Sequence, residues 1–491
     1  MSQFSIQIRF FFGLVSAVGC GPSNPNLICG PGTHRDGHVC VPTEEAVDSA
    51  ISIDTGDPEP IDTGEDTGGE TIEDPEEAPI QVYLLAGQSN MEGIGQISAL
   101  PPSLRVAQED INIFWSGAPV WRGLQPSSGY SSGWGEVFGP EVMFGRTLAD
   151  ANPDGTVALI KHSVGGTDLA AFWNPGVSGD DPTGMGEGYA VWIETVRTAL
   201  AVLDARDQTY EIAGMIWMQG ESDACYDVYA DSYQRNMAHF IDRAREDVAT
   251  PEMPFVIGLI DCLGLCAYRT TVREAQIAVA EGDEAVHVIE TEDLGMYPTD
   301  GWHYQGLGMR VLGTRFAEAL LGAEQSALPQ AAITLTGTYS YGYTGNYTVG
   351  WSFDVHERIR ITDLGIFDFG DDGLTDSGSL GIWEAQSGSL LLSAYFPNAN
   401  QMSKSYVGGF RTIGVEPHIL DPGSYIIGNT TVSGDPNYYV YQAGYGAAES
   451  VTWTAGMHVD GAVLDMPVYT TAGTDTVGLW FGPNFLYYAE P

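Results

Sequence analysis

The chain has 491 residues, with 19 Lys and Arg against 65 Asp and Glu and a formal net charge of -46. That length holds two or three domains with buried cores. A surface so acidic repels phosphate backbones and anionic headgroups, which excludes nucleic acid and peripheral membrane as partners.

In chain order, the first predicted element is an export signal at 1–19. Residues 10–19 (FFFGLVSAVG) form a short apolar run behind Arg9, and Cys20 follows Gly19. Ala17-Val18-Gly19-Cys20 resembles the lipobox of bacterial lipoproteins, with Ala17 where Leu is usual. The resemblance implies lipidation of Cys20 and a secreted or surface-anchored protein, whose one membrane link is that anchor; a plain cleaved signal is the alternative. Residues 20–42 form a small segment in which Cys29 and Cys40 bracket a Gly-rich loop, and His34 and His38 inside it lack standard zinc-ligand spacing. Six cysteines suit an oxidising compartment. Cys225 is expected to pair with Cys262 or Cys266, because their segments follow neighbouring strands. From Thr43 to Pro79 there are fourteen Asp or Glu and no Lys or Arg. Such a stretch cannot offset its chain entropy by burial and reads as a disordered, self-repelling tether.

Residues 80–322 alternate two periodicities. Apolar runs at 81–87, 157–163, 212–218, 254–261 and 286–291 read as buried strands, and helical patterns fall at 140–150, 188–206, 229–248, 270–282 and 305–321. Apolar strands alternating with amphipathic helices predict a flavodoxin-like three-layer α/β/α sandwich around a parallel sheet. Such sheets carry their sites at the carboxyl ends of the strands. From 333 to 491 the composition turns to Gly, Tyr, Thr and Val in short alternating runs, which predicts an all-β sandwich. Glycan binding is one reading of that domain. Its Asp368, Asp371, Asp372 and Asp376 fit solvated loop carboxylates better than a calcium site.

The strand ends of the α/β domain carry the chemistry. The first strand runs into Gly87-Gln88-Ser89-Asn90-Met91, which places a serine at a helix N-terminus. A serine nucleophile needs a base. His303, in Thr299-Asp300-Gly301-Trp302-His303, follows the last strand, and Asp300 three residues earlier can face its imidazole on one turn. The second strand leads into Ser163-Val164-Gly165-Gly166-Thr167, where bare backbone N–H groups can approach an oxyanion. The third leads into Met218-Gln219-Gly220-Glu221-Ser222-Asp223, which brings a side-chain amide to the same edge. Glu221 is a second carboxylate able to support His303. Trp173 and Trp302 flank the site, suited either to stacking on a sugar ring or to core packing.

These four blocks, in this order, resemble those of SGNH hydrolases, and more narrowly those of carbohydrate esterase family 6 and the sialate O-acetylesterase-like proteins. The resemblance covers the α/β domain alone. It implies a serine esterase that removes O-acetyl groups from carbohydrates of acetylxylan or sialate type through an acyl-enzyme, without metal or organic cofactor. Carried over by motif, Ser89 is the nucleophile, His303 the base and Asp300 its partner. The oxyanion donors are the Ser89 and Gly166 amides and the Gln219 side chain. The alternatives are a lipase-like or thioester-cleaving SGNH hydrolase and a non-catalytic glycan-binding surface protein.

Overall fold

The computed structural model describes residues 33–36, 39–42, 78–126, 136–179, 181–297, 300–336, 340–341, 345–368, 373–374, 376–398, 406–431, 440–441, 444–461, 463–470 and 480–490. The expected signal, Cys20, Cys29, nearly all of the tether, and Asp371 and Asp372 lie outside these residues.

Seven strands build the first sheet: β1 (Ile80–Gly87), β2 (Gln108–Trp115), β3 (Ala118–Leu124), β4 (Val157–Ser163), β5 (Tyr210–Met218), β6 (Phe255–Gly258) and β7 (Val286–Ile289). Their order is β7-β6-β5-β1-β4-β2-β3. Six run parallel, and only the edge strand β3 is antiparallel to its neighbour. Five of these strands were expected. The β2–β3 hairpin was not, because charged residues open Gln108–Trp115 and its apolar part is short. The fourth expected strand, 254–261, stops at Gly258 because the chain there leaves the sheet and turns back at Leu263 and Gly264, both with positive φ.

Six helices accompany the sheet: a single turn α1 (Ser89–Glu92), then α2 (Glu141–Ala151), α3 (Glu187–Asp204), α4 (Asp227–Asp247), α5 (Arg269–Glu281) and α6 (Gly306–Leu320). Side chains alternate between the faces of a strand, and the contacts follow that alternation. On one face Phe144 of α2 meets Tyr83 edge-on, and α6 lays Leu320 over Gly214 and Phe316 over Gly258. On the other, Phe240 of α4 packs 4.5 Å from Trp217 and 5.9 Å from Trp192 of α3. Continuous apolar strands such as β4, buried at every residue, are the outcome of cover on both sides.

Two larger antiparallel sheets follow, accompanied among the described residues by a two-stranded and a three-stranded one. Tyr347–Val355, Gly378–Glu384, Leu390–Phe396, Gly423–Thr430, Val451–Asp460 and Tyr469–Thr470 form one. Gln330–Ala331, Ile359–Phe367, Tyr406–Val407, Phe410–Leu420 and Pro483–Ala489 form the other. Trp351 and Phe353 of the first meet Phe485 of the second in a separate core. Asp368 is fully buried and takes the Arg411 guanidinium (Nε–Oδ2 2.8 Å), so it is committed to an ion pair rather than to solvent.

This second unit grips the first. Ile359–Phe367 shifts register against both neighbours between Ile361 and Asp363. A bulge re-aims a side chain, and here Asp363 meets Arg310 of α6 at 2.6 Å with both groups buried. The opposing strand is irregular at the same place. Gly414 O there accepts from Arg105, and Glu416 accepts from Ser103.

Candidate active site

The three central strands β4, β1 and β5 end side by side, and each delivers one block of residues. Gly87 closes β1 at φ 151°, where an added Cβ would lie 2.2 Å from Met218 O of β5. Only glycine allows that approach, and it brings the start of α1 against the end of β5. Ser89 is the first residue of α1, so its N–H has no intrahelical acceptor.

The His303 Nε2 lies 2.9 Å from Ser89 Oγ, and Nδ1 lies 3.1 Å from Asp300 Oδ2. The other oxygen of Asp300 accepts from the N–H groups of Trp302 (2.8 Å) and His303 (3.1 Å), so one carboxylate fixes both the turn and the ring. Burial works against ionisation of Asp300, but hydrogen bonds from the His303 ring and from the Trp302 N–H outweigh it and hold the carboxyl below its ordinary value. Glu221 does not bond the imidazole. Its Oε1 accepts from Asn90 Nδ2 at 2.7 Å, its Oε2 has no hydrogen-bond partner among the described residues, and burial pushes its pKa up.

Asn90 was quoted in the serine block without a role of its own. Besides Glu221, its Nδ2 donates to Trp302 O at 3.0 Å, and its Oδ1 accepts from Tyr304 N at 3.2 Å. The neighbour of the serine thus clamps the turn that carries the histidine. Gln88 was missed too: its Oε1 accepts from the N–H groups of Gly220 and Ser222, each at 3.3 Å, which ties α1 to the block after β5. The signal for both was their place in the Gln88-Ser89-Asn90 block itself.

One expectation is corrected and one alternative is decided. Gln219 was expected to donate its amide to an oxyanion. It is fully buried, and Nε2 donates to Thr167 O at 2.9 Å and to Asp223 Oδ2 at 2.6 Å, which uses both N–H bonds. It braces the turn after β4 instead. Trp173 was weighed for sugar stacking and for core packing. It is fully buried, its Nε1 donates to Thr167 Oγ1, and its ring packs on Trp217, so it belongs to the core. Trp302 remains partly exposed.

The turn after β4 places Gly166 at φ 72°, solvent-exposed and in the left-handed region that favours glycine. Behind it lies Glu92, whose carboxyl is pushed up to about 7 by burial, against the pull of Lys161 and of a hydrogen bond from Gly165 N–H. Asp223 is likewise raised to about 7 by burial, although the Leu169 N–H and Gln219 hydrogen-bond to it. Lys161 is buried on β4 and donates to Glu141 Oε2 at 2.6 Å and to Glu92 O at 3.1 Å.

The cysteines also differ from expectation. Cys262 bonds to Cys266, four residues apart across the turn at Leu263 and Gly264, rather than to Cys225, and Cys225 is not a free thiol either. Cys225 Sγ lies 3.5 Å from Glu221 O, the same carbonyl that Cys266 Sγ approaches at 3.8 Å, so all three cysteines gather behind Glu221. The side chains of that loop reach the histidine turn, where Leu265 would lie 3.0 Å from a Cβ on Gly301.

Residues 79–322 match a protein family described as carbohydrate esterase, sialic acid-specific acetylesterase. A probable carbohydrate esterase of Arabidopsis thaliana is 25% identical over 261 residues, which are 50% of this chain and 91% of the plant protein. Among solved structures, one from Arabidopsis thaliana shares 21% identity and covers 50% of this chain and 99% of that chain, with a TM-score of 0.41. A carbohydrate acetylesterase from Xanthomonas citri shares 16% identity over 74% of each chain, with a TM-score of 0.37.

Proposed function

With residues 79–322 belonging to the carbohydrate-esterase family described as sialic acid-specific acetylesterase, this chain is an ester hydrolase of carbohydrate acetyl groups, and we propose that it works by a Ser89–His303–Asp300 acyl-enzyme mechanism. The observation that carries the reading is the hydrogen-bonded chain from Ser89 Oγ through both imidazole nitrogens to Asp300, at 2.9 and 3.1 Å. In the first step Ser89 Oγ bonds to the acetyl carbonyl carbon while its proton passes to His303 Nε2. Negative charge gathers on the carbonyl oxygen, within reach of the Ser89 and Gly166 N–H groups. Each such donor is worth about 10²–10³ in rate. The C–O bond to the sugar then breaks, and the departing oxygen takes the proton from Nε2. A water molecule attacks the acetyl-serine and gives one proton to Nε2, Oγ regains that proton as its bond to the acetyl carbon breaks, and acetic acid leaves and ionises in water. These steps balance with no further cofactor.

The helices on both sheet faces support the finer reading of this domain as a flavodoxin-like three-layer sandwich. Export and lipidation rest on residues 1–20 alone: incorporation of labelled fatty acid by the wild type and its loss in Cys20→Ala is the expected outcome, and equal labelling of both would refute the anchor.

The nucleophile is tested by Ser89→Ala, assayed by acetate release from acetylated oligosaccharides and from p-nitrophenyl acetate. A loss of about 10³-fold or more with an unchanged unfolding transition is expected. Near-normal turnover refutes the assignment.

A further inference from the structure

Resting on that esterase reading, we propose that the β sandwich is a working part of the serine site, and that Asp363 and Glu416 are positioning residues that keep Ser89 and His303 in register. The serine and the histidine lie 214 positions apart in sequence, so tertiary contacts alone hold them together. After Ser89 the chain leaves α1 through Gly93, Ile94 and Gly95 into two short turns, Ile97–Ala99 and Pro102–Arg105. After His303 it enters α6 at Gly306. These two arms meet. Tyr297, whose N–H donates to the His303 carbonyl at 2.9 Å, donates its hydroxyl to Ile94 O at 3.1 Å. Gly95 lies so close to α6 that an added Cβ would stand 2.9 Å from Met309 Cβ.

The β sandwich closes on both arms at one irregular place. Ile361 pairs with His418 and Asp363 with Gly414, so Val415, Glu416 and Pro417 on one strand oppose Thr362 alone on the other. A bulge takes its extra residues out of the ladder and re-aims their side chains. Asp363 turns onto Arg310 of α6, the residue after Met309, at 2.6 Å with both groups buried. Glu416 accepts from the Ser103 N–H at 2.6 Å and from its hydroxyl at 3.0 Å. Between them Gly414 lies against the serine arm, where an added Cβ would stand 2.3 Å from Ala99 O, and its carbonyl accepts from Arg105 at 2.9 Å. Arg105 also draws in the Ser98 and Leu100 carbonyls. One pair of strands thus fastens the arm that follows the serine and the arm that follows the histidine. Proton transfer from Ser89 Oγ to His303 Nε2 depends on that fastening, because a misplacement of about 1 Å costs on the order of 10²-fold in rate.

The test uses the full chain and p-nitrophenyl acetate, an ester with no sugar, so that lost glycan contacts cannot enter the result. Asp363→Asn and Glu416→Ala are compared with the wild type at a temperature where thermal unfolding shows every protein folded. We expect kcat to fall by about tenfold or more in Asp363→Asn and by about threefold in Glu416→Ala, with KM within about twofold. Labelling of Ser89 by a serine-directed phosphonate should slow by the same factors. Asp363→Glu, which restores the carboxylate, should recover most of the rate. Unchanged kcat and labelling in the folded variants, with only the unfolding temperature lowered, overturn the proposal and leave the esterase reading intact. Should Asp363→Asn not fold, Glu416→Ala decides by the same criterion. A wild type that neither turns over the ester nor takes the label overturns the esterase reading itself.

Discussion

At the scale of single residues, the structure separates two carboxylates that sequence spacing left as rivals. Asp300 bonds the imidazole and both adjacent N–H groups, whereas Glu221 reaches the histidine only through Asn90. Asp300→Asn should therefore lower kcat by up to about 10⁴-fold, the scale seen when a triad acid loses its charge. Glu221→Gln keeps an acceptor for Asn90 and should cost less than tenfold, roughly. Kinetics of both variants decide the matter, and the reverse ranking would transfer the role to Glu221. Asn90→Ala removes the clamp on the histidine turn, and a displacement of that kind costs on the order of 10²-fold in rate. Ser89, Asp300 and His303 were legible because nucleophile chemistry names the residue types and the strand ends fix their place. Gln219 was misread for a physical reason: a sequence reveals an amide but not whether its two N–H bonds are already taken. Trp173 was left between stacking and core packing, since proximity in sequence does not say which way a ring points.

Glu92 adds a pH dependence at the same scale. An unfolded glutamate releases its proton near 4.5, and folded Glu92 keeps it to about 7. Between those values the folded chain binds more protons than the unfolded one, so stability falls as pH rises through the window. The contribution is about 3 kcal/mol at most. Glu92→Gln should flatten the fall in unfolding temperature between pH 5 and pH 8 by that share, measured by thermal unfolding. An unchanged slope would mean that Glu92 is not buried as its surroundings indicate.

At the scale of elements, the helices were the clearest part of the sequence. The pattern at 305–321 became α6 at Gly306–Leu320, because an apolar stripe at helical period has one way to bury itself. The hairpin of β2 and β3 escaped notice because charged residues open β2, and β3, at the sheet edge, need not be continuously apolar. Nor could any local pattern forecast the bulge at Asp363, which is set by a partner some fifty positions away in sequence. That partner is Arg310 of α6, the helix that follows the His303 turn. Asp363→Ala would leave a buried guanidinium without its counter-charge, a loss of about 3–5 kcal/mol. Denaturant unfolding of the full chain measures it. A change below about 1 kcal/mol would show that the two units do not depend on this contact.

At the scale of the whole molecule, two separate cores are joined by a polar, ion-paired seam, and the surface carries a large excess of negative charge. Composition alone made that excess plain, whereas the seam depended on how the two sheet systems meet. The catalytic account can be tested against the entire chain at once. A serine-directed phosphonate should label the protein with one group per chain, at the peptide containing Ser89, and residual esterase activity should fall in step with the label. Labelling at any other residue, or full activity in a chain labelled at Ser89, would contradict the mechanism.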